Sequence, residues 1–251
     1  MNALLPIVLC LGLLGAAGVA AQTYRVGVES QPYQPYYSLE AGEYQGYARD
    51  LLDAFATDQG HRFIYVALPV KRLQSDFLSG KLDFKYPDHP HWNREQKQGR
   101  TVHYSAATAP YRDGVLVLPA YLGLGKARIK LLGTQLGFTP WPFLADIESG
   151  QIALTQATRI DSLLKMALAG RVDAVYLNPL VARHALGAAG LPRDALVLDR
   201  DLPQVADHYY LSSLRHPAVI AAFDAFLRAQ PALLRRIGDK YAIDWPPYRA
   251  P

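Results

Sequence analysis

The sequence predicts an α/β protein of two similar lobes, joined by a two-strand hinge, with a ligand cleft between them. Three observations carry that prediction. One pattern occurs twice: Leu73 to Tyr86 reads LQSDFLSGKLDFKY, and Leu163 to Tyr176 reads LLKMALAGRVDAVY. Each is the end of an amphipathic helix, a glycine, a basic residue, an aspartate and a short strand. Glycine suits the left-handed position past a helix end because it has no Cβ to clash there. Strand and helix signals also alternate as βαβαβ, the order of a largely parallel sheet with right-handed crossovers. Finally, strand signals within Tyr111 to Pro119 and Asp207 to Leu214 bracket the second repeat and carry the chain between the lobes.

The elements follow in order. Leu4 to Ala21 has no charge, and Val19-Ala20-Ala21 places small residues where a signal peptidase reads them, so cleavage is expected before Gln22. A retained anchor is the rival reading, because no Lys or Arg precedes the apolar run. That run is short for a span of about 20 residues. Tyr24 to Glu29 alternates and reads as a strand. Gln31 to Tyr37 is a loop of prolines and tyrosines. Gly46 introduces a helix with Leu51, Leu52, Phe55 and Ala56 on one face, ending near Gly60. Phe63 to Leu68 is a strand, Pro69 precedes the first repeat helix, and Asp83 to Tyr86 is the third strand. Pro87 to Arg100 reads as irregular. Leu131 to Gly137 is a strand and turn, and Thr139-Pro140 marks a helix start. Ile152 to Gln156 and Ala195 to Leu198 are further strands. Pro217 to Tyr241 reads as helical, with Val219, Ile220, Phe223, Phe226 and Leu227 as its buried stripe. This places lobe 1 at 22–112 plus 206–251 and lobe 2 at 113–205.

Composition narrows the function. Of 251 residues, 50% are hydrophobic and 19% charged, which fits a globular chain and not a disordered one. The net charge is +4, but the basic residues are scattered and the densest cluster is Arg235-Arg236. No basic stripe marks a nucleic-acid partner. Cys10 is the single cysteine and lies in the leader. Pro6 to Leu9 lacks the small residue expected before a lipidated cysteine. A processed chain would have no disulfide and no thiolate for a metal. The expected location is the periplasm.

The motif order carries a resemblance. Its markers are Tyr33-Gln34-Pro35-Tyr36 after the first strand, Gly46 to Leu51 opening a helix, and Leu78 to Asp83. Tyr104-Ser105 with Pro110-Tyr111, Leu136 to Thr139, and Gly170 to Asp173 complete the set. Together they resemble the family 3 solute-binding proteins, the periplasmic amino-acid receptors of ABC importers, over nearly the whole chain after the leader. The resemblance implies a two-lobed periplasmic-binding-protein-like fold of type II. It implies a protein that captures a small polar or charged ligand, amino-acid-like or an organic acid, for an ABC permease. The alternatives are a ligand-sensing partner of a membrane signalling receptor, or an exported cyclic-acid dehydratase using Asp88, His89 and Glu95 as acid and base. Fold alone does not choose among them. A monomer without nucleic acid is expected.

The resemblance also implies ligand positions. Tyr33 matches an aromatic that stacks over the ligand. Thr139 matches a threonine whose hydroxyl and neighbouring free N–H groups receive an anion. Arg94 matches an arginine that forks onto a carboxylate, with Arg100 as competitor. The residues before it, His91-Trp92-Asn93, replace the usual threonine or serine. Asn178 stands where amino-acid receptors place an aspartate for the ligand's ammonium, and asparagine cannot neutralise a buried cation. Asp88 follows Gly80 as Asn178 follows Gly170. It either supplies that carboxylate from the opposite wall or is a surface-turn aspartate. Trp92 and Trp141 are candidate aromatic walls. No catalytic residue, cofactor or metal is expected, since His89-Pro90-His91 beside Asp88 lacks a third ligand with clear spacing.

Overall fold

A computed structural model describes residues 22–243. The expected leader with Cys10 lies outside the described residues, as does 244–251. The chain runs β1 (Thr23–Glu29), a hairpin of β2 (Ser38–Glu40) and β3 (Glu43–Gln45), α1 (Tyr47–Asp58), β4 (Arg62–Leu68), α2 (Val70–Leu78), β5 (Phe84–Asp88), α3 (Arg94–Lys97) and β6 (His103–Tyr104). It then crosses on β7 (Ala109–Val117) and continues with β8 (Leu131–Gln135), α4 (Leu144–Glu148), β9 (Ala153–Ala157), α5 (Ile160–Leu168), β10 (Ala174–Leu177), α6 (Pro179–Ala188) and β11 (Val197–Leu198). It returns on β12 (Val205–Ser213) and ends with α7 (Pro217–Ala229) and α8 (Pro231–Lys240).

The strands join in the order β4-β1-β5-β12-β7-β10-β8-β9, with β6 on β12 and β11 on β7. β1 is parallel to β4 and β5, and β8 is parallel to β9 and β10, so each lobe has the parallel centre that the alternating pattern predicts. The hinge is the antiparallel ribbon of β7 and β12. Its pairing runs from Ala109↔Tyr209 to Asp113↔Val205. From Gly114 onward β7 pairs with β10 instead, and from Tyr210 onward β12 pairs with β5. The ribbon therefore changes partners at both ends, and a lobe hangs from each.

The sequence repeat is a structural repeat. Both glycines sit in the left-handed region, Gly80 at φ +76 and Gly170 at φ +65. Lys81 N–H reaches back to Asp76 O at 3.0 Å, and Arg171 N–H reaches Met166 O at 2.8 Å, closing the two helix ends alike. The aspartates then tie the strands. Asp83 N–H donates to Arg25 O (2.9 Å) while its carboxylate accepts from Arg25 N–H (2.8 Å). Asp173 N–H donates to Leu131 O (2.9 Å) while its carboxylate accepts from Lys130 and Leu131 N–H, both at 2.8 Å. Helix packing repeats too. A Cβ on Gly27 of β1 would lie 2.6 Å from a Leu73 methyl, and one on Gly133 of β8 would lie 2.8 Å from a Leu163 methyl.

Two elements differ from expectation. The segment read as irregular contains α3, and the last helix is two helices bent by 84° at Gln230-Pro231. Proline has no N–H to continue the ladder and pushes the preceding residue out of helical geometry. The bend lets Phe223 and Phe226 of α7 meet Phe55 of α1 at 4.9 and 5.6 Å, while Leu234 of α8 is also fully buried. Each such side chain contributes about 1.5–3 kcal/mol by leaving water.

The duplicated clamp makes a prediction. Asp173→Ala leaves two strand-edge N–H groups without their acceptor, so it should destabilise the protein by about 1–3 kcal/mol. Denaturant melts of the two proteins measure this; an unchanged midpoint would remove the clamp's role.

Candidate functional site

The lobes meet through a polar clasp and a stack of rings. Gln31 follows β1, and Gln135 ends β8. The Gln135 amide donates to Gln31 Oε1 at 2.6 Å, and the Gln31 amide donates to Leu136 O at 3.2 Å. Gln135 is fully buried, and its Oε1 has no hydrogen-bond partner among the described residues. An unpartnered buried amide oxygen costs roughly 1–3 kcal/mol.

Beside the clasp, Phe138 of lobe 2 faces Tyr33 of lobe 1 at 5.2 Å. Behind Tyr33 the rings continue to Tyr37 (5.4 Å), Tyr44 (6.4 Å) and Tyr65 (5.1 Å), with the Arg49 guanidinium 4.7 Å over Tyr65. Tyr33 is 1% exposed. Its expected place, over a ligand, is covered here by Phe138. The Tyr33 hydroxyl approaches Asp113 Oδ1 at 3.4 Å. Asp113 ends the hinge pairing on β7. Burial with no cation alongside pushes its carboxyl up to about 7, although the Tyr33 hydrogen bond opposes the shift. Burial also raises Glu29, despite a 2.7 Å hydrogen bond from Tyr37.

Asn178 has a structural use. Its Oδ1 accepts from Leu180 N–H (2.8 Å) and Val181 N–H (3.4 Å), capping α6. Its amide then donates across the cleft to the Tyr36 hydroxyl at 3.4 Å, and that hydroxyl donates to Pro110 O at 2.9 Å. An aspartate would cap the helix equally well, but it would set an acceptor against a hydroxyl whose proton is already given.

Asp88 is neither a cleft carboxylate nor a surface-turn residue. It is fully buried at the end of β5 and saturated with donors. Lys85 Nζ (3.0 Å), Lys97 Nζ (3.1 Å) and His89 N–H (2.8 Å) reach one oxygen, and Ser212 Oγ (2.7 Å) reaches the other. Burial would raise its pKa, but the two lysines outweigh burial and hold it below the usual carboxylate range. His89 extends the network. Its Nδ1 accepts from His91 N–H at 3.1 Å, so Nε2 carries the proton toward Asp207 of β12 at 3.0 Å. Both ring nitrogens are therefore committed.

The remaining expected residues lie apart from Tyr33. Trp92 packs on the hinge rings, 6.2 Å from Tyr111 and 6.0 Å from Tyr209. Arg94 is exposed on the four-residue α3, as is Glu95. Arg100 donates to Leu78 O at 2.6 Å and so caps the end of α2. Thr139 is exposed, and its side chain caps no helix; the helical turn at Trp141–Phe143 begins after Pro140. Trp141 is 56% exposed. No described contact joins Arg94, Thr139 or Trp141 to Tyr33. Sequence reasoning missed Gln31, Gln135, Phe138 and Asp113. Only Phe138 carried a signal, as a member of the Leu136 to Thr139 motif.

No protein-family model matches the chain, and no curated protein matches it. Solved structures match its fold. A histidine kinase sensor domain with similarity to periplasmic binding proteins aligns at TM-score 0.69 and 17% identity, covering 89% of this chain and 98% of its own. The arginine-, lysine-, histidine-binding protein ArtJ from the thermophilic bacterium Geobacillus stearothermophilus aligns at TM-score 0.67 and 18% identity, covering 87% and 94%. An ancestral amino acid-binding protein, described as a precursor of cyclohexadienyl dehydratase, aligns at TM-score 0.66 and 17% identity, covering 87% and 95%. The shared architecture is the two-lobed periplasmic-binding-protein-like fold.

Two predictions follow from Asp88 and Asp113. Asp88→Asn strands two buried ammonium groups and should cost about 3–5 kcal/mol, read as a fall in Tm; a change under about 1 kcal/mol would contradict the part assigned to this carboxylate. Asp113 has a folded-state pKa above its unfolded value, so its contribution is whole below about pH 4 and is lost as the pH rises to and through about 7. Asp113→Asn should therefore gain stability over the wild type between pH 5 and 8. Because Asp113 is only half-buried, the gain is taken as about 1–2 kcal/mol. Melts at the two pH values test it, and a gain equal at both would contradict it.

Proposed function

We propose that the chain is an exported solute-binding protein that closes on a small polar or charged molecule and delivers it to an ABC importer in the membrane. The interlobe clasp carries this reading. Gln31 with Gln135, and Tyr33 with Phe138, are contacts between segments about a hundred residues apart in sequence, on two lobes that share a two-strand ribbon. Opening that hinge breaks them, so a ligand that adds contacts to both lobes shifts the population toward closure. The unpartnered Gln135 Oε1 is a place for a ligand N–H or O–H.

The groups at the clasp are Gln31, Gln135, Tyr33, Phe138 and the Asp113 carboxyl, and the Arg49 guanidinium lies three rings away at the far end of the stack. Such a lining favours a donor-rich or cationic ligand over a dicarboxylate. The likeness to an arginine-, lysine-, histidine-binding protein agrees with that choice. Export to the periplasm rests on the apolar leader and on the fold. A second reading, a ligand-sensing partner of a membrane receptor, is favoured by the likeness to a kinase sensor domain. The dehydratase reading draws less support, since Asp88 is saturated by lysines, both ring nitrogens of His89 are engaged, and Glu95 is exposed on α3.

The test is a thermal-shift and calorimetric screen of residues 22–251 against basic amino acids, polyamines and organic acids. A basic amino acid or polyamine should raise Tm, by about 2.7 kcal/mol of stability at 100 times the dissociation constant. Gln135→Leu should weaken that ligand by about tenfold, and Tyr33→Ala should weaken it further. No rise across the panel would overturn the solute-binding reading and leave the sensor partner.

A further inference from the structure

A groove of about 970 Å³ runs along the hinge beside the Asn178–Tyr36 contact, and none of Gln31, Tyr33, Gln135 and Phe138 lines it. Both lobes and both hinge strands line it. Its floor is mostly apolar, formed by Pro35 and Tyr36 from lobe 1 and by Leu116, Leu180, Leu196 and Leu198 from lobe 2, with the buried amide of Asn178 among them. Its rim is basic. Arg112, Arg183, Arg193 and Arg200 border it, with His184 and His208 between them. All four arginines are exposed. Arg112 donates to Gln204 at 3.1 Å. The side chains of Arg183, Arg193 and Arg200 enter no hydrogen bond or ion pair among the described residues, so three guanidinium groups converge on one groove without a protein carboxylate to hold them. The lining carboxylates are Asp194 and Asp207, and Asp207 is held by His89.

Unpaired guanidinium groups over an apolar floor select a particular chemistry. Arginine forks match the paired oxygens of carboxylate, sulfonate and phosphate groups. An apolar floor adds affinity in proportion to the apolar area it covers. From these features we infer that the hinge-flank groove binds an amphipathic organic anion, with its apolar body on the floor and its acid group under the arginine rim. Gln31, Tyr33, Gln135 and Phe138 do not line the groove, so the inference stands whatever the identity of the clasp's ligand. Because its walls belong to both lobes, an occupant is thermodynamically linked to lobe closure, and the linkage runs in both directions.

The probe is the fluorescent anion 1-anilinonaphthalene-8-sulfonate, titrated into folded residues 22–251 and followed by fluorescence and calorimetry. Saturable binding at one site per chain is expected. Arg193→Glu with Arg200→Glu should weaken it by at least about tenfold, and the milder Arg193→Gln with Arg200→Gln by at least about threefold. Arg235→Glu with Arg236→Glu, exposed on α8 outside the groove, should leave it unchanged. Tyr33→Ala, which disrupts the clasp, should retain saturable binding, with an affinity shifted only as far as lobe closure is shifted. Absence of saturable binding would overturn the inference. So would full affinity in both groove variants, or a loss confined to Tyr33→Ala.

Discussion

The fold turns on one buried carboxylate. Asp88 ends the strand at the centre of lobe 1, and its two oxygens gather Lys85 from its own strand, Lys97 from α3 and Ser212 from the returning hinge strand. The pairing of β12 with β5 shifts register between Tyr210 and Ser212, and that irregularity lies where Ser212 meets the carboxylate. Lys97 also donates to His89 O (2.8 Å) and to the Tyr104 hydroxyl (2.7 Å), so it binds the α3 segment and β6 to the same point. A neutral residue at 88 could not satisfy two ammonium groups removed from water. The hinge ribbon thus springs from an anchor that ties it to three other segments of lobe 1, β5, α3 and β6.

What closes over that anchor is much weaker. The clasp consists of neutral hydrogen bonds and ring contacts, and each is worth about 0.5–1.5 kcal/mol net. A few such contacts bias a hinge without locking it, and a ligand of ordinary affinity can then decide the balance. The contrast has a physical basis: charge saturates the anchor, where rigidity is required, while amides and hydroxyls line the moving surface, where separation must stay cheap.

The fold was legible where the signal was local. The glycine–basic–aspartate sequence occurs within a few residues in each lobe, and the structure uses it twice with the same hydrogen bonds. Local strand signals likewise located β1, β4, β7 and β12. The site was far less legible. Gln31 and Gln135, or Tyr33 and Asp113, meet from 80 or more positions apart, and neither partner carries a mark of the other. Asp88 was noticed through its spacing from Gly80. Its lysines were invisible, because Lys85 is read as a strand residue and Lys97 lies beyond a loop. Arg94 and Thr139 were assigned by resemblance alone, and both are exposed here. Pro231 carried the chemistry of a break, but the apolar stripe that ends at Leu227 led the two helices to be read as one.

The strand order has one more consequence. Lobe 2 is a continuous stretch of chain, and its parallel strands β8, β9 and β10 find one another within a few dozen residues. Lobe 1 is not continuous. The strand beside β5 is β12, and the helices that meet α1 are the last two in the sequence. Domains tend to fold as units during synthesis. For a chain emerging N-terminus first, the middle lobe can therefore be complete while the first lobe still lacks its central neighbour. The lobe that is begun first is finished last, and its apolar sheet face has to be shielded in the interval.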